Sequence, residues 1–197
     1  MDHIVSANNG FNFYAANFGG ANIRSHNGCT PEIDQTCFID PSAVIIGRVK
    51  IGCDSSIWCN SVARGDVSYI EIGERSNIQD LTMLHVTHYN PGRSEESPLK
   101  IGNNVTVGHS CCIHACTIQD NVLVGMGTTI LDNSVIESNI IIGAGSLVPQ
   151  NKILESGYLY FGNPLKQIRP LSPAEIEHIQ YSAQHYVRVK NSHQDSK

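Results

Sequence analysis

An aliphatic side chain recurs at every sixth position through most of this chain, and that period restricts the fold more than any other feature. Neither an α-helix nor the longer strands of a β-sandwich produces a repeat of six. The period is interrupted at residues 68–71 and 86–100, and we expect it to end at Val148. The eighteen positions that carry it are Ile33, Ile39, Ile45, Ile51, Ile57, Ala63, Ile72, Ile78, Leu84, Ile101, Val107, Ile113, Ile118, Val124, Ile130, Ile136, Ile142 and Val148.

A six-residue period is typical of the hexapeptide-repeat β-helix, in which each hexad supplies a short strand and a tight corner. Three hexads complete one triangular coil, and the aliphatic residue points into the prism. Glycine often follows that residue, as in Ile51-Gly52 and Val124-Gly125, where it relieves crowding near the bend. We therefore predict a mainly β fold, a single-stranded parallel β-helix. Its left-handed coiling is a property of the fold type and cannot be read from the sequence.

The period also predicts the domain organisation. Residues 1–28 lack it and form an N-terminal extension, residues 29–170 form the β-helix, 171–190 form a C-terminal α-helix and 191–197 a frayed tail. Ser172 as N-cap, Pro173 at the first helical position and Glu175 in a capping box mark the start of the helix. Its apolar stripe should pack on the outside of the prism.

Composition excludes several functions. The net charge of −5 offers no basic patch for nucleic acid, and aliphatic runs such as 44–46 are too short to cross a membrane. The first 28 residues do not resemble a signal peptide, so we expect a cytoplasmic protein whose seven cysteines are reduced thiols. Cys111, Cys112 and Cys116 lie near two histidines, but small buried side chains are the more common use of such cysteines.

Stacking the coils brings two histidines together. His85 follows Leu84 and His114 follows Ile113, and these hexads occupy the same place in successive coils. Neighbouring coils are about 4.8 Å apart, so the two imidazoles lie one above the other on an outer face and can share a divalent metal. Arg64 is next in the same column.

His109 belongs to a different column, over Asp80 and Cys59 near a corner. Five extended residues separate it from His114, roughly 16 Å along the chain, so one metal can hardly reach both within one prism. A second prism packed alongside could supply its own His109, and a three-fold ring of prisms closes such a contact. His88 lies in the second insertion, where we expect it to be solvated.

Several motifs together resemble the γ-class carbonic anhydrases, over roughly residues 33–172. The motifs are Ala63-Arg64-Gly65-Asp66, Asn77-Ile78-Gln79-Asp80, Leu84-His85-Val86, Val107-Gly108-His109, Ile113-His114 and the closing segments 157–164 and 169–172.

This resemblance implies a homotrimer with zinc, or iron, at each subunit interface. His85 and His114 would come from one chain and His109 from its neighbour. Three neutral imidazoles leave an open position on the metal, where bound water can have a pKa of about 7, so that hydroxide is available to attack carbon dioxide. The implied activity is the reversible hydration of carbon dioxide to bicarbonate.

The resemblance also assigns supporting residues. Arg64 and Asp66 match a pair that helps to join subunits, and Asp80 is placed to support a metal ligand. Gln79 matches a residue that orients the metal-bound water or bicarbonate. Asn77 is a weaker candidate for the same role, with ordinary polar contacts as its alternative.

Tyr160 is a further candidate that would approach the pocket from the C-terminal segment.

One departure from the family predicts slow turnover. Well-characterised members carry a glutamate proton shuttle in an acidic loop and a further glutamate just after the Arg-Gly-Asp run. Here Val67 and Ser68 follow Asp66, and the loop offers only Glu95 and Glu96.

Two other functions remain open at this point. Hexapeptide-repeat acyltransferases use the same scaffold with one histidine as general base toward an acyl-CoA, although a single base does not explain three converging histidines. A trimeric scaffold protein with a structural metal is the other alternative.

Overall fold

The computed structural model describes residues 4–5, 18, 20–88 and 96–195, and its chain coils as a parallel β-helix. The described residues include twenty-one strands, which are β1 (Ile4–Val5), β2 (Asn22–Arg24), β3 (Glu32–Asp34), β4 (Phe38–Ile39), β5 (Val44–Ile51), β6 (Ser56–Ile57), β7 (Val62–Ile72), β8 (Asn77–Ile78), β9 (Met83–His85), β10 (Leu99–Ile101), β11 (Thr106–Val107), β12 (Cys112–His114), β13 (Thr117–Ile118), β14 (Val122–Val124), β15 (Thr129–Ile130), β16 (Val135–Ile136), β17 (Ile140–Ile142), β18 (Leu147–Val148), β19 (Ile153–Leu154), β20 (Tyr158–Phe161) and β21 (Lys166–Pro170). Helix α1 (Pro173–Asp195) follows them.

The strands stack into three faces. The histidine face holds β2, the first half of β5, the first half of β7, β9, β12, β15 and β18. The helix face holds β4, β6, β8, β11, β14, β17, β20 and β21 in that order. The third face holds β3, the second half of β5, the second half of β7, β10, β13, β16 and β19. Neighbouring strands within the coils are parallel, whereas β1 with β3 and β20 with β21 are antiparallel.

The hexad period builds the core as predicted. All eighteen periodic positions are buried, none more than 3% exposed, and they pair in register from coil to coil. On the helix face, for example, Ile78 pairs with Val107 and Val107 with Val124. Each inward side chain therefore packs on its equivalents above and below, so the apolar column is continuous along the prism axis.

Residues with positive φ make many of the corners, and they include Leu81, Ser110 and Ala115 as well as several asparagines. Asn121, Asn133, Asn139 and Asn151 have positive φ of 57° to 59°, a backbone region that asparagine tolerates better than most residues. The glycine after the aliphatic residue acts differently. A Cβ on Gly125 would lie 2.4 Å from the backbone nitrogen of Ala144 in the next coil. That glycine therefore permits close stacking of coils, in keeping with the predicted crowding.

The period does not end at Val148, which corrects the sequence interpretation. Leu154 pairs with Ile136 and Tyr160 with Ile142, and both side chains are buried in the same columns. Tyr160 is not aliphatic, which hides the last repeat. The insertion at 68–71 likewise does not leave the sheet. It lies inside β7, where Ile70 is buried and pairs with Val49.

The chain's two boundary regions are more ordered than the sequence suggests. Strand β2 lies inside the predicted extension 1–28 and pairs with β5. Helix α1 extends to Asp195, beyond the predicted end at residue 190 and into the predicted frayed tail. Its last turn is held because Gln194 Nε2 donates to the Cys37 carbonyl at 3.1 Å and the His193 ring packs 5.2 Å from Trp58.

Helix α1 packs on the helix face, against β4, β6 and β11. It starts beside the last coil and returns along the prism to the first, because Ser182 meets Thr106 at 3.2 Å and Gln194 meets Cys37. Among the described residues no helix has the length and apolarity that crossing a membrane requires. The expected cytoplasmic location stays a prediction.

Candidate metal centre

The predicted stacking of His85 and His114 is present. β9 and β12 pair so that Leu84 lies beside Ile113 and His85 beside His114, and Arg64 is next in the ladder. Leu84 and Ile113 point into the prism, and successive side chains of a strand point to opposite sides. The imidazoles that follow them therefore lie on the outer side of the histidine face. His85 Nδ1 and His114 Nε2 face each other at 3.0 Å.

The other nitrogen of each ring faces a carboxylate. His85 Nε2 lies 3.2 Å from Asp66 Oδ1, and His114 Nδ1 lies 2.6 Å from Asp132 Oδ1. An ionised carboxylate only accepts hydrogen bonds, so the ring protons belong on these outer nitrogens. With both rings neutral, the two facing nitrogens present lone pairs to each other. A cation shared by the two nitrogens would relieve that repulsion.

The charges around His85 favour its neutral form. Burial, and after it the positive charge of Arg64, lowers the pKa of His85. Arg64 Nη1 pairs with Asp66 Oδ2 at 2.5 Å. Burial acts to raise the pKa of Asp66, but hydrogen bonds from Arg64 and His85 outweigh it and hold that pKa below the usual value. Neutral imidazole beside an ionised carboxylate is the state that binds a metal.

His109 lies at the corner between the helix face and the histidine face, as the column argument predicts. Its Nδ1 lies 2.6 Å from Asp80 Oδ2, which leaves Nε2 as the nitrogen with a lone pair, and its side chain is 43% exposed. Within the described ranges, no group of three His, Cys, Asp or Glu side chains in one chain could hold a metal. His109 therefore does not join the other two histidines within a single prism.

Large apolar side chains are exposed on the coils that carry His109 and the histidine pair, and on the next coil. Met126 follows His109 in the corner column, and Leu81 follows Asp80; they are 58% and 62% exposed. Met83, two residues before His85 in β9, is 37% exposed. Exposed apolar residues clustered beside polar ones are typical of surfaces that contact another protein.

The structure places Gln79 and Asn77 together but not beside the histidine pair. Gln79 Nε2 donates to Asn77 Oδ1 at 3.1 Å, and Asn77 Nδ2 donates to Thr106 Oγ1 at 3.0 Å. Thr106 in turn contacts Ser182 of α1, so Asn77 lies beneath the helix. Gln79 is adjacent in sequence to Asp80 and lies on the His109 side of the prism.

Tyr160 lies in the interior of the last coil. In its column, Tyr160 pairs with Ile142, Ile142 with Val124 and Val124 with Val107. Tyr160 is therefore three coils away from the coil that carries His109 and His114. Its hydroxyl donates to the Glu155 carbonyl at 3.2 Å beside a small cavity of about 140 Å³. The contacts of one chain therefore give Tyr160 no place beside the histidines.

The cysteines near the site are not arranged as ligands. Burial raises the pKa of Cys111 to about 11, and burial also raises the pKa of Cys116 and Cys112. Thiols of this kind stay protonated at neutral pH, whereas metals bind thiolates. They serve as small packing residues.

Asp132 is the site residue that the sequence analysis missed. Because β12 pairs with β15, Ala115 and Asp132 occupy equivalent positions, and Asp132 reaches back one coil to His114. The column argument would have placed Leu131, rather than Asp132, level with His114 in the next coil.

Comparisons with known proteins identify the family of this chain. The family described as bacterial transferase hexapeptide (six repeats) matches residues 115–150. Protein YrdA of Escherichia coli is 52% identical over 88% of this chain and 94% of its own length. A carbonic anhydrase of Geobacillus kaustophilus is 45% identical over 84% of this chain and 87% of its own length. The chain belongs to the γ-class carbonic anhydrase family.

A solved structure supports the fold of this family member. The crystal structure of a hexapeptide transferase family protein from Anaplasma phagocytophilum is 42% identical, with a TM-score of 0.79 over 85% of this chain and 95% of that one. Proteins named transferases and proteins named carbonic anhydrases therefore share this fold. The side chains, rather than the fold, must decide the chemistry.

Proposed function

We propose that this γ-class family member hydrates carbon dioxide reversibly to bicarbonate with a divalent metal, zinc or iron, held between subunits. One observation carries the proposal. The facing nitrogens of His85 and His114 lie 3.0 Å apart while the opposite nitrogen of each ring is held by a carboxylate. Two nitrogens that bind one zinc ion at about 2.0–2.1 Å, at a tetrahedral angle, lie about 3.3 Å apart. The residues therefore fit such a metal.

The third ligand in this proposal is His109 of a neighbouring chain. Asp80 Oδ2 lies 2.6 Å from His109 Nδ1, so that Nε2 of this 43% exposed side chain is the nitrogen available to a metal. Leu81 and Met126 are exposed at the same corner of the prism and would be buried by a second prism. These features support a homotrimer, in which each interface repeats the same pairing and the ring closes.

The chain's own residues would each have a defined task. His85, His114 and His109 bind the metal as neutral imidazoles, and their carboxylate partners orient the rings. A divalent metal held there supplies a Lewis acid that makes hydroxide available at neutral pH, the nucleophile that hydration of carbon dioxide requires. Gln79, on the His109 side of the interface, offers an amide that can orient bicarbonate through hydrogen bonds.

Metal analysis combined with a hydration assay tests the proposal. The purified full-length protein should contain close to one zinc or iron per chain and accelerate hydration of carbon dioxide. His114→Ala should lose both the metal and the hydration activity without unfolding, because His85 would then be the only metal ligand left from the stacked pair. His178→Ala is the matched control, since His178 lies exposed on α1 and stacks on Tyr181. Stoichiometric metal in the His114→Ala protein would overturn the assignment.

An acyltransferase is the second candidate, because the matched family description and the Anaplasma relative both carry the transferase name. An acyltransferase should bind coenzyme A, and its acyl transfer should persist after metal removal. Metal without hydration or coenzyme A binding would instead favour a scaffold with a structural metal.

A further inference from the structure

Both oxygens of the Asp132 carboxylate accept hydrogen bonds. Oδ1 accepts from His114 Nδ1 at 2.6 Å, and Oδ2 accepts from Thr87 Oγ1 at 2.5 Å. The residue is only 8% exposed, so little water competes for these oxygens. Both oxygens are therefore engaged, and rotation of the carboxylate would break these hydrogen bonds. Such contacts to a charged acceptor are about twice as strong as neutral ones.

The contact decides which nitrogen of His114 is available. A neutral imidazole carries one proton, and a carboxylate acceptor holds that proton on Nδ1. Nε2 then keeps its lone pair and points at His85 Nδ1. Without the carboxylate, the other tautomer would place a hydrogen at the position where the metal should lie.

The carboxylate beside His85 is a weaker influence. Asp66 lies 3.2 Å from His85 and shares its charge with Arg64 at 2.5 Å. Asp132 lies closer to its histidine, with Oδ1 at 2.6 Å from His114 Nδ1. The two metal-facing histidines are thus oriented unequally.

Thr87 connects this arrangement to the second insertion. Its backbone nitrogen donates to the Ser97 carbonyl at 3.2 Å, which closes the base of the insertion on the β-helix. The chain Thr87–Asp132–His114 therefore links the base of the insertion to a metal-facing imidazole.

We propose that Asp132, anchored by Thr87, is the positioning residue that directs Nε2 of His114 at the metal. This inference rests on the proposed metal function, but the tautomer of His114 can be measured without metal.

Two measurements on the full-length protein test the role of Asp132. Zinc affinity is measured by competition with a chelator, and the His114 tautomer is measured by ¹⁵N NMR of the metal-free protein. Asp132→Ala should bind zinc about tenfold to a hundredfold more weakly and lose the Nδ1–H tautomer. Asp132→Asn keeps the shape but removes the charge, and its amide can donate to Nδ1, so it should lose affinity at an unchanged melting temperature. Thr87→Val should show a smaller loss in the same direction.

Asp120→Ala is the matched control. Asp120 also follows a strand of the β-helix, but its carboxylate accepts from the Asn103 backbone nitrogen at 2.7 Å. Its loss should leave zinc affinity and the His114 tautomer unchanged. Zinc affinity within twofold of wild type in both Asp132 variants, or an intact Nδ1–H tautomer in them, would overturn the inference. A wild-type protein that binds no zinc would instead refute the proposed function, and the tautomer would still test Asp132.

Discussion

Ser68 shows how a single buried hydroxyl can lower stability. It lies inside β7, fully buried, and its Oγ is the one buried side-chain polar atom without a hydrogen-bond partner among the described residues. Leaving such a group unpaired costs about 1–3 kcal/mol. Ser68→Ala should therefore raise the free energy of unfolding by about 1 kcal/mol, as measured by urea denaturation.

The matched control for that change is Ser61→Ala. Ser61 is equally buried, but its Oγ donates to the Gln79 carbonyl at 2.8 Å. Its removal should lower the free energy of unfolding, because the buried hydrogen bonds to the Gln79 carbonyl and from the Thr82 backbone nitrogen are lost. If both variants shifted stability in the same direction, the unpaired state of Ser68 would not be the cause.

The proton-transfer residues give a second prediction at this scale. Val67 and Ser68 offer no acid after Asp66, and the Glu96 carboxylate is 2.9 Å from the Arg48 guanidinium, engaged in an ion pair. Glu95 lies outside the described residues. Hydration should therefore be limited by export of the proton, and added imidazole buffer should increase kcat. A high rate that does not depend on buffer concentration would show that another group carries the proton.

Residue-scale inference succeeded where the period could be counted. His85 and His114 could be paired because both follow an inward aliphatic residue in equivalent hexads. The partner of each ring could not be obtained in the same way. Asp132 reaches His114 from the next coil, across a corner, and the direction of a side chain at a corner depends on backbone angles that hexad counting does not supply.

At the scale of elements, the start of α1 combines a capping box with an ion pair. Ser172 and Glu175 exchange hydrogen bonds, with Ser172 N donating to Glu175 Oε2 at 2.9 Å and Glu175 N to Ser172 Oγ at 3.3 Å. Arg169 adds two contacts to the same carboxylate at 2.8 and 2.9 Å. Hydrogen bonding from Arg169 is the main reason that the pKa of Glu175 falls to about 2.

A pKa lowered in the folded state gives stability that is present above the unfolded value and is lost as the pH falls. The stability difference between wild type and Glu175→Gln should thus be constant above about pH 5 and shrink toward pH 2, as followed by thermal unfolding. Glu177→Gln removes the same charge from an exposed position on α1 and should have a small effect throughout. A difference that grows on acidification would contradict the assignment of the ion pair.

The limits of sequence inference differ from element to element. The capping box located the start of α1 correctly because its signal is local. The end of α1 was placed too early because Gln194 and His193 are held by Cys37, Phe38 and Trp58, which are far away in sequence. The last coil was missed because Tyr160 fills an aliphatic column with an aromatic ring.

The whole molecule poses the question of how three histidines on two separate columns can meet. The proposed answer requires another subunit, and mixing variants tests it. His85→Ala and His109→Ala should each lose metal when prepared alone. Unfolded and refolded together, they form trimers with a junction that has intact His85 and His114 on one chain and intact His109 on the other.

Metal binding should return at that junction, and hydration should return in part. The control is a mixture of His85→Ala with His114→Ala, in which every junction lacks a ligand from the stacked pair and no rescue is expected. If the first mixture also stayed metal-free after subunit exchange had been confirmed, the shared site would be refuted.

The return path of α1 has a mechanical consequence for the β-helix. In a stack of repeats each coil contacts only its neighbours, so coils at either end can open independently of the rest. Here α1 begins beside the last coil, crosses Thr106 midway and ends on Cys37 in the first coil. Opening the coils at one end therefore requires detaching α1, which also packs against the coils at the other end. Backbone amide hydrogens of the outermost coils should exchange with solvent at rates close to those of the central coils, because the β-helix then opens as one cooperative unit.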